Sequence, residues 1–309
     1  MIKKEITIGT RGSRLALWQA NFVAESLRHF TDAEILIKKI KTQGDKILDS
    51  PLAKIGDKGL FVKEIELALS EKEVDLAVHS MKDVPTELPP GLIIASIMKR
   101  EDPKDVLISK GREHLSNLPK GVRVGTSSLR RKAQLLNFRP DLTIVDVRGN
   151  LDTRLKKMDS GDFEAMVLAA AGIDRMGWSD KISERIPTET ILPAVGQGAI
   201  GIEIREDDEI MGKLVGELNH LPTYHAVIAE RALLKRLEGG CQIPIGSLGI
   251  VDGNSLKLTG IVASLDGKRL IRDSVSGNLS QAENTGIKLA ENLVDSGADE
   301  ILKEIRESG

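Results

Sequence analysis

Arginine side chains recur in this sequence where a predicted strand turns into a helix. Arg11 stands in "GTRGSR", and Arg130 and Arg131 stand in "GTSSLRR". Free backbone N–H groups and the positive end of the helix dipole favour an anion at such a turn. An arginine fork binds a carboxylate or a phosphate through two parallel hydrogen bonds. Further arginines follow later strands in "VRGNLDTR" and "AGIDRMG", namely Arg148, Arg154 and Arg175.

One such arginine alone is most simply a surface charge, but the recurrence in similar loops predicts a site for a polyanion. A nucleotide has weak support, because the sequence contains no GxxxxGK[ST] motif and "GTRGSR" is not GxGxxG. A nucleic-acid partner is not expected, since the net charge is -2 and aromatic residues make up 3%. The pattern favours a ligand with many separate carboxylates.

Asp83 is the candidate acid. It stands in "HSMKDVP", directly after an apolar run and beside His79, Ser80 and Lys82. A carboxylate among arginines stays ionised, so it could stabilise a cation or accept a proton. The alternative is a solvated turn before a proline.

Cys241, in "LEGGCQIPIG", is the only cysteine of the 309 residues. No nucleophile-and-base signature surrounds it, although His220 and His225 are near in sequence, and it lacks companions for a metal site. A loop behind two glycines suits covalent attachment of a bulky cofactor. An inert thiol is the alternative, and the residues alone leave both open.

The elements that must position these residues follow a strand-helix rhythm, which predicts α/β layers. The pattern also repeats. "ITIGTRGSRLALWQA" is similar to "VRVGTSSLRRKAQLL", and "EVDLAVHSMKDVP" is similar to "DFEAMVLAAAGIDRMG". Two similar α/β domains facing each other across a cleft would explain both pairs.

The segments "KREDPKD" and "LPAVGQGAIGIEI" are interpreted as crossings between these two domains. A third segment follows, with a helix over Thr223 to Glu238 and three strands joined at Asp252-Gly253 and Asp266-Gly267. Later helices are expected from about Ala282 and Asp299. We therefore predict domain 1 at 1–99 and 200–217, domain 2 at 100–199, and an α+β domain 3 at 218–309. The stretch from Gly44 to Gly59 is either a lid over the site or an ordinary loop.

The lone cysteine and the absence of a signal-peptide core at the start predict a cytoplasmic protein. The longest apolar run, Ala165 to Ile173, is too short to cross a bilayer, so no membrane association is expected.

Taken together, the motifs resemble the hydroxymethylbilane synthase (porphobilinogen deaminase) family. The resemblance extends in order from about residue 6 to residue 249 and rests on six motifs: "GTRGSRLALWQ", "DLAVHSMKDVPTELP", "GTSSLRR", "RGNLDTRL", "LPAVGQGAIGIE" and "ERALLKRLEGGCQIPIG". It implies two lobes similar to type II periplasmic binding proteins and a small α+β C-terminal domain with a three-stranded antiparallel sheet. It also implies a transferase that uses no metal and acts as a monomer.

The same resemblance implies the chemistry. Cys241 would carry a dipyrromethane cofactor through a thioether bond, as a primer for four porphobilinogen units. Loss of ammonia from each unit would leave an electron-poor azafulvene, which the α-carbon of the chain's terminal ring would attack, and the linear tetrapyrrole would be hydrolysed off as hydroxymethylbilane. This pathway leads to haem and other tetrapyrroles.

Residue roles carry over position by position. Asp83 matches the catalytic aspartate. The positions that match the cofactor-binding residues are Cys241, Lys82, Asp83, Thr126, Ser128, Arg130, Arg131 and Gly149. The positions that match the substrate-binding residues are Arg11, Ser13, Gln19, Ser80, Arg148, Arg154 and Arg175.

The chief rival is a binding protein for an anionic metabolite without catalysis. Two lobes and arginine loops would serve it equally well, but it has no use for Cys241 on a Gly-Gly loop or for Asp83 among arginines. A protein that binds nucleic acid is the third hypothesis, and it disagrees with the charge and the aromatic content.

Overall fold

Apolar runs bounded by turn residues form the strands of this computed structural model, which describes residues 4–46, 59, 61–238 and 243–308. In chain order the strands are β1 (Glu5–Arg11), β2 (Glu34–Ile40), β3 (Leu76–Ser80), β4 (Leu92–Ile97), β5 (Asp105–Ser109), β6 (Arg123–Gly125), β7 (Thr143–Val145), β8 (Ala165–Ala169), β9 (Glu184–Arg185), β10 (Ile200–Arg205), β11 (Ile245–Asp252), β12 (Ser255–Ala263) and β13 (Leu270–Asn278).

Two of the helices that follow strands begin at a serine. Ser13 Oγ accepts a hydrogen bond from the N–H of Ala16 at 3.2 Å, and Ser128 Oγ accepts one from the N–H of Arg131 at 3.4 Å. Such caps satisfy N–H groups that have no partner inside the helix. In chain order the helices are α1 (Arg14–Leu27), α2 (Gln43–Lys46), α3 (Lys63–Ser70), α4 (Leu129–Phe138), α5 (Leu151–Asp159), α6 (Ala170–Arg175), α7 (Glu209–Gly216), α8 (Leu221–Arg236), α9 (Ala282–Leu293) and α10 (Asp299–Ser308).

The described chain folds into two compact units. The first consists of the described residues up to Glu101 together with Ala199–Tyr224. Its sheet has the order β2-β1-β3-β10-β4, in which β1 is parallel to both neighbours and β10 is antiparallel to both of its own. Ile8, Leu27 and Ile202 belong to the buried core that this sheet shares with its helices.

The second unit consists of Asp102–Gly198 and the described residues from His225 onward. Its larger sheet has the order β7-β6-β8-β5-β9, in which β6 is parallel to both neighbours and β5 is antiparallel to both of its own. Each of the two five-stranded sheets therefore has the same plan. In each sheet the antiparallel strand is the one that follows a chain crossing.

The matching plans confirm the predicted pair of similar α/β lobes. β1 and β6, which end in the "GTRGSR" and "GTSSLRR" turns, occupy the same place in their sheets. β3 and β8, the strands of the second pair of similar sequences, also occupy the same place. The division into three domains stays a prediction.

The predicted C-terminal α+β module with a three-stranded sheet is also confirmed. Strands β11, β12 and β13 form an antiparallel meander. Gly253 and Gly267 lie in its turns with φ of 53° and 73°, the left-handed region that glycine adopts without strain. Leu258 of the sheet and Leu289 of α9 lie in one buried cluster.

The predicted helix over Thr223 to Glu238 runs instead from Leu221 to Arg236. It ends early because Glu238 has a φ of 51°, which a helix cannot continue. Among the described residues, no helix is long and apolar enough to cross a membrane.

Candidate active site

A pocket in the first unit lies where β1 and β3 end. Its lining consists of Arg11, Ser13, Leu15, Ala16, Gln19, Phe61, Val62, Val78, His79, Ser80 and Asp83. Five residues of this lining were predicted site residues from two separate stretches of sequence, and the parallel pairing of β1 with β3 brings them together.

Arg11, at the end of β1, is stacked on an aromatic ring. Its guanidinium carbon lies 4.2 Å from the centre of the Phe61 ring. The stacking holds the guanidinium plane while leaving its N–H edges to donate hydrogen bonds. Phe61 was not among the predicted site residues. The signal available was a phenylalanine in a chain with only 3% aromatic residues.

Gln19 and Ser80 join the α1 and β3 sides of the pocket. Gln19 Nε2 donates to Ser80 Oγ at 2.8 Å, and the Gln19 side chain is buried. Ser13 Oγ already accepts a helix N–H at the start of α1. Its hydroxyl proton can still be donated to an anion.

Asp83 closes a single 3₁₀ turn, Met81–Asp83, that directly follows β3. The N–H of Met81 donates to the carbonyl of Ala199 at 3.0 Å, and a side chain at Gly201 would collide with Met81. These contacts with Ala199 and Gly201 hold the turn in place. Asp83, which is half-buried, lines the pocket. Lys82, half-buried on the same turn, does not belong to the lining.

Behind the pocket wall lies a buried acidic group. His79 Nε2 is 2.8 Å from Glu203 Oε2 of β10, and both side chains are buried. Burial and the nearby Glu203 carboxylate raise the pKa of Glu66 to about 7, against the lowering effects of His79 and Lys63. A carboxyl group with a pKa near neutral therefore lies behind His79 of the pocket wall.

In the second unit, Arg130 and Arg131 are buried rather than spread on the surface, with 4% and 6% exposure. Both bind the Asp105 carboxylate, which has 0% exposure. Arg130 Nη1 donates to Oδ2 at 2.8 Å, and Arg131 Nη2 donates to Oδ1 at 2.8 Å. Burial by itself would raise the pKa of Asp105, but the two guanidinium charges and their hydrogen bonds hold it well below its usual range.

The remaining predicted residues of this unit follow β6, β7 and β8 along the chain. Thr126 is buried, and its Oγ1 accepts a hydrogen bond from the N–H of Ser128 at 3.2 Å. Gly149 has a φ of 107°, and its carbonyl accepts from Arg154 Nε at 2.9 Å. The two other predicted arginines are half-buried: Arg148 lies beside Gly149, and Arg175 Nη2 donates to the carbonyl of Gly198 at 2.8 Å.

Cys241 and most of the predicted lid, Gly44 to Gly59, lie outside the described residues. The helix before Cys241 (α8) and the strand after it (β11) are described. Glu230 of α8, fully buried, accepts hydrogen bonds from the N–H of Gly249 at 2.8 Å and from the N–H of Gly196 at 2.7 Å. Strand β11 and the segment before β10 therefore both donate hydrogen bonds to the Glu230 side chain.

The donor set suits a ligand rich in carboxylates. Arg130 Nε is buried and has no hydrogen-bond partner among the described residues. Buried polar atoms are normally paired, so this donor is suited to an additional acceptor. Within the described residues no group of three or more His, Cys, Asp or Glu side chains could hold a metal ion.

Two family models match the chain. "Porphobilinogen deaminase, dipyromethane cofactor binding domain" matches residues 6–213, and "Porphobilinogen deaminase, C-terminal domain" matches residues 224–295.

Curated relatives match over almost the whole length. The porphobilinogen deaminase of Geobacter metallireducens is 54% identical over 306 residues, covering 99% of this chain and 96% of that protein. The porphobilinogen deaminase of Chlorobium limicola is 56% identical over 312 residues, covering 99% of this chain and all (100%) of that protein.

Solved structures with a partial likeness include a BvgS domain and a periplasmic binding protein. The Bordetella pertussis BvgS VFT2 domain has a TM-score of 0.41 at 13% identity, covering 69% of this chain and 85% of its own. The aliphatic sulphonate binding protein SsuA of Escherichia coli has a TM-score of 0.41 at 12% identity, covering 76% of this chain and 71% of its own. Similarity of this size adds nothing to what the strand orders show.

Proposed function

The chain belongs to the porphobilinogen deaminase family, and we propose that Asp83 and the arginines of the strand-end turns carry out that family's reaction. The protein is a transferase of tetrapyrrole biosynthesis, hydroxymethylbilane synthase, with a dipyrromethane cofactor. It joins four porphobilinogen molecules head to tail onto the cofactor, releasing ammonia each time, and then hydrolyses the product to hydroxymethylbilane.

The single observation that supports these roles is the composition of the pocket in the first unit. Asp83 shares that pocket with Arg11, Ser13, Gln19 and Ser80. Porphobilinogen has one cationic aminomethyl group and two carboxylates. The pocket offers one carboxylate and a set of hydrogen-bond donors, which is the complementary arrangement.

Asp83 is proposed to stabilise the positive charge that develops on the pyrrole ring of the substrate. When the C–N bond of the aminomethyl group breaks, the electron pair leaves with ammonia, and positive charge spreads over the pyrrole ring and its nitrogen. An ionised carboxylate fixed by the 3₁₀ turn stabilises that charge without reorganising. The α-carbon of the chain's terminal ring forms the new C–C bond with the substrate's methylene carbon. That attacking ring must then lose its α-proton, and the same carboxylate can accept it.

Arg11 is proposed to bind a substrate carboxylate in the first unit, with Gln19, Ser13 and Ser80 as supporting donors. In the second unit, Arg148, Arg154 and Arg175 are proposed to do the same for the rings of the growing chain. Each arginine fork matches one carboxylate. A product that gains two carboxylates per ring therefore needs several forks.

The dipyrromethane supplies the free α-carbon to which the first substrate is joined. Cys241 is proposed to hold it through a thioether bond. Its carboxylates fit the buried donors of the second unit, since Arg130 Nε lacks a partner among the described residues. The proposed contacts are Lys82, Asp83, Thr126, Ser128, Arg130, Arg131 and Gly149.

The substitution that tests the role of Asp83 is Asp83→Asn, which keeps the shape and removes the charge. Removing a general acid or base typically costs 10²- to 10⁴-fold in rate, so we expect porphobilinogen consumption at least about 100-fold slower. The purified variant should still carry the cofactor mass. Exposed Asp32, which does not line the pocket, provides the matched control Asp32→Asn. A rate within about twofold of wild type in the Asp83→Asn variant would rule out this role.

Three further proposals concern domains, oligomeric state and location. The borders of 1–99, 100–199 and 200–217 with one another are supported by unit boundaries at Glu101/Asp102 and Gly198/Ala199. A separate domain at 218–309 is proposed because that segment has its own three-stranded sheet. A monomer is proposed from the family resemblance, and light scattering on the purified protein tests it. A cytoplasmic location is proposed because one cysteine suits a reducing compartment.

A further inference from the structure

Asp105 is the point at which the paired arginines of the second unit converge. It is the first residue of β5 and has 0% exposure. Arg131 Nε donates to its Oδ1 at 3.1 Å, in addition to the two bonds described above. Gln197 Nε2 also donates to Oδ1, at 2.9 Å. One carboxylate therefore fixes two guanidinium planes.

The cluster holds more positive than negative charge. Two arginines face one carboxylate, which leaves a surplus of one positive charge in an interior where an unpaired charge is costly. Each arginine also donates to a neutral carbonyl: Leu192 accepts from Arg130 Nη1 at 2.6 Å, and Val167 accepts from Arg131 Nη1 at 3.1 Å. A carbonyl does not neutralise the surplus.

Some of the donors in this cluster remain available. Each guanidinium has five N–H bonds in a rigid fork. Arg130 Nε makes no hydrogen bond among the described residues. A fork that Asp105 holds at one edge directs its other edge in a defined direction, and this preorganisation lowers the entropic cost of binding an anion.

We propose that Asp105 is a positioning residue for cofactor loading: it orients Arg130 and Arg131 so that the surplus charge of the pair receives a carboxylate of the dipyrromethane. This inference rests on the proposed role of the two arginines in cofactor binding. Gln197 contributes a second constraint. Gln197 belongs to the second crossing segment, and it also donates to the carbonyl of Pro103 in the first crossing segment, at 2.7 Å. Asp105 Oδ1, the oxygen that binds Arg131, is therefore hydrogen-bonded to a residue of the other crossing segment.

Two variants of the full-length protein test the inference. Asp105→Asn removes the anchoring charge. Gln197→Glu replaces the donor to Asp105 Oδ1 with a second carboxylate, which repels Asp105 and disturbs the oxygen that holds Arg131. The matched control is Asp174→Asn, which breaks the half-exposed pair with Arg185, at 2.7 Å in the same unit, and touches neither buried arginine.

The readout is covalent loading, independent of turnover. Each protein is prepared without cofactor and incubated with porphobilinogen, and the gain of two linked pyrrole units is followed by intact mass. We expect loading at least about 10-fold slower in Asp105→Asn and in Gln197→Glu, and within twofold of wild type in Asp174→Asn. Circular dichroism and cooperative urea unfolding confirm that each variant is folded.

A double-mutant cycle separates positioning from a merely structural role. If Asp105 acts through Arg131, then Asp105→Asn combined with Arg131→Gln loads no more slowly than the slower single variant. Additive losses overturn the inference, as does normal loading of a folded Gln197→Glu protein. That second variant decides the question if Asp105→Asn does not fold. Failure of the wild type to gain mass would contradict the proposed function instead.

Discussion

His79 Nε2 lies 2.8 Å from Glu203 Oε2, so a histidine of the pocket wall is paired with a fully buried carboxylate of the neighbouring strand. Gly201 of β10 is the residue directly opposite His79. Glu66 of α3 adds a second buried carboxyl group, whose pKa is raised to about 7. The helix α3 therefore contributes a carboxyl group whose charge changes near neutral pH.

The fold should lose stability as the pH rises across this range. The ordinary pKa of Glu66 is 4.5 and its folded value is about 7. Between these values the unfolded chain has released the proton while the folded protein keeps it, so raising the pH favours unfolding. Glu66→Gln removes this pH-dependent contribution to the free energy of unfolding. In urea titrations from pH 5 to 8, the variant should gain stability relative to wild type as the pH rises, with the gain levelling off above about 7.

The control for this experiment is Glu71→Gln, at an exposed position just after the same helix. Its stability should follow that of wild type at every pH. Parallel stability curves for Glu66→Gln and wild type would show that Glu66 ionises normally in the folded protein.

Phe61→Leu should weaken substrate binding through Arg11. The ring lies 4.2 Å from the Arg11 guanidinium carbon, and such a contact contributes about 0.5–1 kcal/mol at a partly exposed site. The expected change is a KM for porphobilinogen about two- to fivefold higher with kcat nearly constant. The measurement is steady-state kinetics on cofactor-loaded protein.

Phe22→Leu is the matched control for this substitution. Phe22 stacks on Trp18 with ring centres 5.2 Å apart and does not line the pocket. Its KM should equal that of wild type. A Phe61→Leu protein with unchanged KM would mean that the stacking does not position Arg11.

Glu230→Gln should destabilise the second unit. Glu230 accepts one backbone N–H on each carboxylate oxygen, from Gly249 and from Gly196. Glutamine keeps one acceptor oxygen and loses the charge. Loss of one hydrogen bond to a buried charged group costs about 1.5–3 kcal/mol. Urea unfolding should show this loss, whereas exposed Glu217→Gln should stay within about 0.5 kcal/mol of wild type. If the Glu230→Gln protein were as stable as wild type, these two hydrogen bonds would not stabilise the unit.

The strand-end loops could be predicted because their signals are local. An apolar run, a glycine and a capping serine within a few residues predict both the turn and the helix start at Ser13 and at Ser128. The Asp-Gly pairs at 252 and 266 predicted the turns of the C-terminal sheet for the same reason.

The partners of the buried arginines could not be predicted in this way. Asp105 is 25 residues from Arg130, 26 from Arg131 and 92 from Gln197. No local pattern marks a side-chain pair of such separation. Both arginines were predicted to bind the cofactor, which stays a prediction, and no sequence signal indicated that a carboxylate of the first crossing segment holds them.

A covalent primer on Cys241 is the central claim for this chain. The most direct test is the intact mass of the denatured protein, compared with the Cys241→Ser variant, before and after incubation with porphobilinogen. We predict an excess of two linked pyrrole units on the wild type and none on the variant. A wild-type protein that keeps its bare-sequence mass after incubation, or a serine variant that gains the same mass, would contradict the claim.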